Sequence, residues 1–170
     1  MPRMQNNASD LEAPYRSGER VLSEPADEPL HPGSAVLLQF WRSRNCGELP
    51  KRSQIACREL KAILPFLFLM QPVDSELNEW RYRLIGSSIM ERLGMSRARG
   101  CLMSELHQPE VVELRRRAYR EIAQTKQPRI SRGRIVGIGR DFYRIEGVHV
   151  PIDGGGANPT WILAGMFFFN

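Results

Sequence analysis

The spacing of apolar residues changes period twice along this chain, and that double change constrains the fold more than any other feature. Over residues 79–85 the side chains alternate, with Trp80, Tyr82 and Leu84 on one side and Arg81 and Arg83 on the other, as in a strand buried on one face. The apolar run 66–70 before it has strand length, and polar residues 74–78 read as the turn of a hairpin. From Gly86 the period becomes helical. Ser87 or Ser88 can cap a helix with Ile89, Met90 and Leu93 inward, and Gly94 ends it. A short turn over 101–106 leads to Pro109, which opens the longest helix, reaching about Lys126. There Val111, Leu114, Ala118 and Ile122 form an apolar stripe opposite Glu113, Arg116, Arg117 and Arg120. Beyond Pro128 the period returns to two, predicting strands over 129–136, 142–152 and 160–168, joined by a turn at 137–141 and a glycine-rich loop at 153–158.

Strands at both ends and helices between them can close into one sheet if the first pair lies beside the last three. The expected fold class is therefore α+β, a five-stranded antiparallel sheet with helices on one face, preceded by an N-terminal helix. That leading helix spans 34–45, with Ser34 as cap and Val36, Leu37, Phe40 and Trp41 on one face. Its apolar stripe must cover its own domain or the same helix of a second copy, so these four residues are the candidate dimer or partner surface. A second helix over 53–64, capped by Ser53 and stopped by Pro65, turns Ile55, Leu60, Ile63 and Leu64 inward. Residues 1–32, rich in polar and turn-forming types, are expected to form a flexible arm, leaving 33–170 as the domain.

No stretch approaches the roughly 20 apolar residues that a membrane-spanning helix needs, and residues 1–10 carry no secretory signal. The expected location is cytoplasmic. Cys46, Cys57 and Cys101, odd in number and without close pairing, fit free thiols. The formal charge of +5 is spread over arginines along the whole chain, so a nucleic-acid partner is not expected despite the stripe Arg115, Arg116 and Arg117; a basic nucleic-acid-associated protein stands as the third functional reading.

Several local sequences then carry a resemblance: Phe40-Trp41, Leu49-Pro50-Lys51-Arg52, Leu64-Pro65, Tyr82-Arg83-Leu84-Ile85-Gly86, Leu93-Gly94, and Arg99-Gly100 followed by Leu102 and Leu106. In their order and spacing they resemble short bacterial stand-alone PAS proteins, over residues 34–169. The resemblance implies a PAS domain that senses a small molecule, redox state or light through a cavity between sheet and helices, or that dimerises and binds partners. With no output domain after the last strand, it implies a stand-alone interaction module in bacterial signal transduction, homodimeric, acting on a regulatory protein such as a kinase. The alternative is a small-molecule sensor. A PAS cavity would be lined by a subset of Met90, Leu93, Leu102, Leu106, Val111 and Leu114, with Arg83 either anchoring an anionic ligand or pairing with a carboxylate such as Glu146.

Catalytic and cofactor chemistry finds no support in the residues, so neither an enzyme nor a cofactor is expected. The long helix holds no histidine over 111–123 to serve as a haem ligand; His107 in the preceding loop reads as a surface or capping residue, and His31 and His149 are expected still less as haem ligands. Cys101 lacks the motif of a photoactive flavin site and reads as a small buried hydrophobe, and Cys46 and Cys57 lack zinc-ligand spacing. The run Gly154-Gly155-Gly156 joins two strands instead of opening a helix, which makes it a hairpin loop and not a phosphate cradle. Asp141, Glu146 and Asp153 have no evident histidine partner.

Overall fold

The computed structural model describes residues 20–136 and 143–170. Among these residues the elements run β1 (Arg20–Ala26), α1 (Pro32–Arg44), three 3₁₀ turns (Arg52–Gln54, Arg58–Leu60 and Leu64–Phe66), β2 (Leu67–Pro72), β3 (Trp80–Ile85), α2 (Ser87–Leu93), α3 (Met103–Leu106), α4 (Pro109–Thr125), β4 (Arg129–Val136), β5 (Tyr143–Asp153) and β6 (Thr160–Phe168). The strands form one antiparallel sheet in the order β1-β4-β5-β6-β2-β3, so the early hairpin joins the late strands through β2 and β6. The turn expected at 137–141 and the first residue of the strand expected from 142 lie outside the described residues.

Four expectations need correction. The sheet has six strands, because residues 20–26, assigned to a flexible arm, pair in register with β4, Val21 opposite Ile135 and Ser23 opposite Gly133. With Pro25 and few large apolar side chains this strand has almost no sequence signal, and backbone bonds to β4 define it. The helix expected over 53–64 is instead a series of 3₁₀ turns, since Leu60 and Ile63 alone are buried there and their spacing demands no continuous α-helical face. The leading helix begins at Pro32, before the expected Ser34, and it is not N-terminal, because β1 precedes it. His31 is its N-cap, with Nδ1 accepting from the Gly33 amide at 3.0 Å, and Ser34 is buried in its first turn.

The fourth correction concerns layers: helices cover both faces of the sheet. On one face α2, α3 and α4 pack over Met70, Trp80, Tyr82, Ile162, Ala164 and Met166. On the other, α1 and the 3₁₀ turns pack over Leu67, Leu69, Val148, Val150, Leu163 and Phe167. Central strand β6 is accordingly buried on both sides from Trp161 to Phe168, which is why its sequence runs apolar without alternating.

The alternation expected in β3 breaks near its end. Tyr82 pairs with Met70 but Leu84 pairs with Leu69, so a bulge inserts Arg83 and turns Leu84 to the opposite face, where it is 38% exposed. After β3 the chain passes Gly86, where a Cβ atom would lie 2.1 Å from the Pro65 carbonyl oxygen; only glycine lets that corner close on the last 3₁₀ turn.

Candidate functional site

Small side chains on the α4 face of the sheet open a gap that its large neighbours do not fill. Ser23 on β1, Ser131 on β4 and Gly147 on β5 face Ala118 of α4, and a Cβ at Gly147 would press on Ser131 Oγ at 3.2 Å and the His149 ring at 3.3 Å. The result is a cavity of about 70 Å³, with Leu114, half exposed, on its wall. Val21, Phe68, Ile135, Ile145 and Met166 give the wall an apolar part; Arg115, Tyr119, Arg129 and His149 give it a polar part. At roughly 10–15 Å³ per water centre, the space takes about five waters or a molecule of a few heavy atoms.

The polar part is built in layers. Arg115 Nη1 donates to the Tyr82 hydroxyl at 2.6 Å and lies 3.1 Å from His107 Nε2, which is itself 2.7 Å from that hydroxyl. Which of the Tyr82 and His107 groups donates to the other depends on the tautomer of the His107 ring. Tyr119 stacks edge-on against Trp80, with centroids 5.2 Å apart, and its ring lies 5.5 Å from that of His149. The Tyr119 hydroxyl and His149 Nδ1 are buried and find no hydrogen-bond partner among the described residues. Burial pushes the Tyr119 phenol above its ordinary range. Burial first, and then the charges of Arg115 and Arg129, push the His149 imidazole down to about 3, so it is neutral at physiological pH.

The expected pocket residues are divided by this geometry. Leu114 lines the cavity, and Leu93 lines a separate void of about 10 Å³ beside Tyr82 and His107. Leu106 and Val111 are buried in the core without reaching the cavity, and Met90 and Leu102 are half-buried away from it. Arg83 is on the opposite face, its guanidinium 5.8 Å from the Trp161 ring centroid, and Glu146 bonds to Arg132 instead, at 3.0 Å. Of the candidate partner surface, Leu37, Phe40 and Trp41 are buried within the chain and only Val36 is exposed; the Trp41 indole donates to the Pro151 carbonyl at 2.7 Å. The stripe of three arginines is dispersed too: Arg115 faces the cavity, while Arg116 and Arg117 pair with Glu113.

Arg115, Tyr119, His107 and His149 are site residues that the sequence reading did not place there. Val112, Arg115, Tyr119 and Ile122 follow one another at helical spacing, and an arginine within such a stripe is a sign of a polar group aimed inward. His107, read as a surface or capping residue, is buried, because Tyr82 from β3 and Arg115 from α4 converge on it.

The family model described as the PAS domain matches residues 30–152. The chain belongs to the PAS domain family. Strands β2 to β6 are the five expected of a PAS sheet, and β1 is an addition before the matched span, on the free side of β4. PAS domains are sensory or interaction modules. No curated protein and no solved structure matches the chain. Among the described residues, no helix is long and apolar enough to cross a membrane.

Proposed function

We propose that this PAS domain is a small-molecule sensor in bacterial signal transduction, with its ligand in the cavity beneath α4 and its output passed to a partner protein such as a kinase. The observation that carries this reading is the pair of buried polar atoms, the Tyr119 hydroxyl and His149 Nδ1, which share one cavity wall and have no partner among the described residues. Leaving such groups unmet costs about 1–3 kcal/mol each, and a core that only needed filling would carry apolar side chains there. A bound molecule that meets them recovers that cost on binding. The cavity wall includes Val21 and Ser23 of β1, the edge strand, so occupancy bears directly on the part of the sheet nearest solvent.

The interaction-module reading draws less support, because the apolar face of α1 is already covered by β5 and β6. Native mass spectrometry of freshly purified protein, followed by thermal-shift screening of small metabolites, tests the sensor. A retained mass or a stabilising compound is expected, lost in Ser131→Leu, where the added side chain fills the cavity. A bare mass with no stabilising compound would refute it.

A further inference from the structure

The chemistry of the cavity wall narrows the class of ligand, an inference that rests on the cavity being a ligand site at all. We propose that it takes a small uncharged molecule with an apolar part of a few carbons and one polar group that both donates and accepts, a hydroxyl or a primary amide. That group meets the Tyr119 hydroxyl and His149 Nδ1.

Tyr119 is fully buried on α4, and His149 reaches the same wall from β5, the two ring centroids 5.5 Å apart. Their unmet atoms differ in capacity. A phenol hydroxyl can donate and accept at once, whereas Nδ1 of a neutral imidazole does one or the other according to its tautomer. A ligand hydroxyl or primary amide serves either tautomer, because it carries a donor and an acceptor together. The rest of the molecule then lies against Val21, Phe68, Ile135, Ile145 and Met166, and the volume of about 70 Å³ limits it to a few carbons.

Charged and wholly apolar molecules fit worse. Tyr119 and His149 are both kept neutral, in each case by burial first: the phenol is pushed above its ordinary range and the imidazole down to about 3. The desolvation that keeps these groups uncharged acts equally on a ligand's carboxylate or ammonium. Neither lining arginine offsets that cost for an anion, because both are engaged by protein groups. Arg129 is paired with Glu121 at 2.8 Å, and Arg115 donates to the Tyr82 hydroxyl and lies against His107. An apolar molecule would leave the Tyr119 O–H and His149 Nδ1 without partners, as an empty cavity does.

The test is NMR titration of the full chain at about pH 7, following the ring signals of Tyr119 and His149. The probes are butanol and butyramide, against butyrate as the anion, butylammonium as the cation, and methyl propyl ether, an isomer of butanol that accepts but cannot donate. At least one of butanol and butyramide should bind, about tenfold or more tighter than either ion and about threefold to tenfold tighter than the ether, the worth of one uncharged hydrogen bond. Tyr119→Phe, which keeps the ring against Trp80, should erase the preference over the ether, and Ser131→Leu should abolish binding of every probe. If an ion binds as tightly as butanol, or the ether does, the cavity is a ligand site but not one for this class. If the probes bind equally well to Ser131→Leu, they bind elsewhere and the inference is overturned. If no probe binds, the mass retained by freshly purified protein decides: an uncharged alcohol or amide upholds the inference and any other compound overturns it. A bare mass with no stabilising compound in the thermal screen takes the sensor reading with it.

Discussion

Replacing Glu146 by glutamine or alanine tests how the outer face of the sheet holds the segment between β1 and α1. Glu146 sits on β5 and is fully buried. Its Oε1 accepts from the amides of Leu30 and His31 at 3.1 and 2.9 Å, and its Oε2 accepts from the Leu30 amide at 3.0 Å and from Arg132 Nη1 at 3.0 Å. Arg132 in turn donates to the Glu28 carbonyl at 2.7 Å, so one carboxylate and one guanidinium fasten the connector to the sheet just before the α1 cap. Burial alone would raise the carboxyl pKa; hydrogen bonds, among them those from His31, Leu30 and Arg132, outweigh it and hold the group below its ordinary value. Glutamine keeps one oxygen for the amides but turns an NH₂ group towards Arg132, which should cost about 1.5–3 kcal/mol, the worth of a charged hydrogen bond. Alanine strips every acceptor and should cost about 3–5 kcal/mol, as when one partner of a buried ion pair is removed. Because the folded pKa lies below the unfolded one, the contribution is complete above the unfolded carboxyl pKa of about 4.3 and is lost as pH falls through the folded value. Urea unfolding followed by tryptophan fluorescence, at about pH 7 and about pH 3, measures both effects. The gap between wild type and the alanine variant should narrow in acid. A glutamine variant within about 0.5 kcal/mol of wild type at neutral pH, or a gap unchanged in acid, would refute the reasoning.

Other outcomes follow from burial and charge. Trp41→Ala and Trp80→Ala should each cost about 3–5 kcal/mol in the same unfolding assay, since Trp41 fills the space between α1 and β5 and Trp80 lies fully buried against Tyr119; a loss near zero for either would mean that its ring does not anchor the core. The His149 imidazole should stay neutral between about pH 5 and 8 in a histidine-resolved NMR titration, and a midpoint near 6.5 would show that the cavity is wet. With its folded pKa below the unfolded one, His149 also makes the fold less stable as pH falls below about 6.5, because the unfolded chain takes up a proton that the folded chain refuses.

Much of the fold was legible because a half-buried strand and an amphipathic helix write different periods into their residues. The alternation around Trp80 and Tyr82, the stripe along α4 and the switch at Gly86 placed β3, α2 and α4, and the β-rich stretch after Pro128 placed β4 to β6. What escaped was what leaves no period. Strand β1 is held by pairing to β4, the residues around Leu60 and Ile63 coil into 3₁₀ turns because only those two need burial, and the bulge at Arg83 turns Leu84 by a register shift.

The cavity was the least legible part. Leu114 was found because apolar residues at helical spacing announce themselves, but Ser131, Gly147 and Ala118 define the space by being small, and a small residue has no direction in a sequence. Local residue order determined segments such as β3, α2 and α4, since burial on one face is a property of each such segment alone. Tertiary structure decided that α1 lies against its own sheet, that Tyr82, His107 and Arg115 meet, and that Tyr119 and His149 face the same gap, because each of these depends on side chains brought together from distant segments.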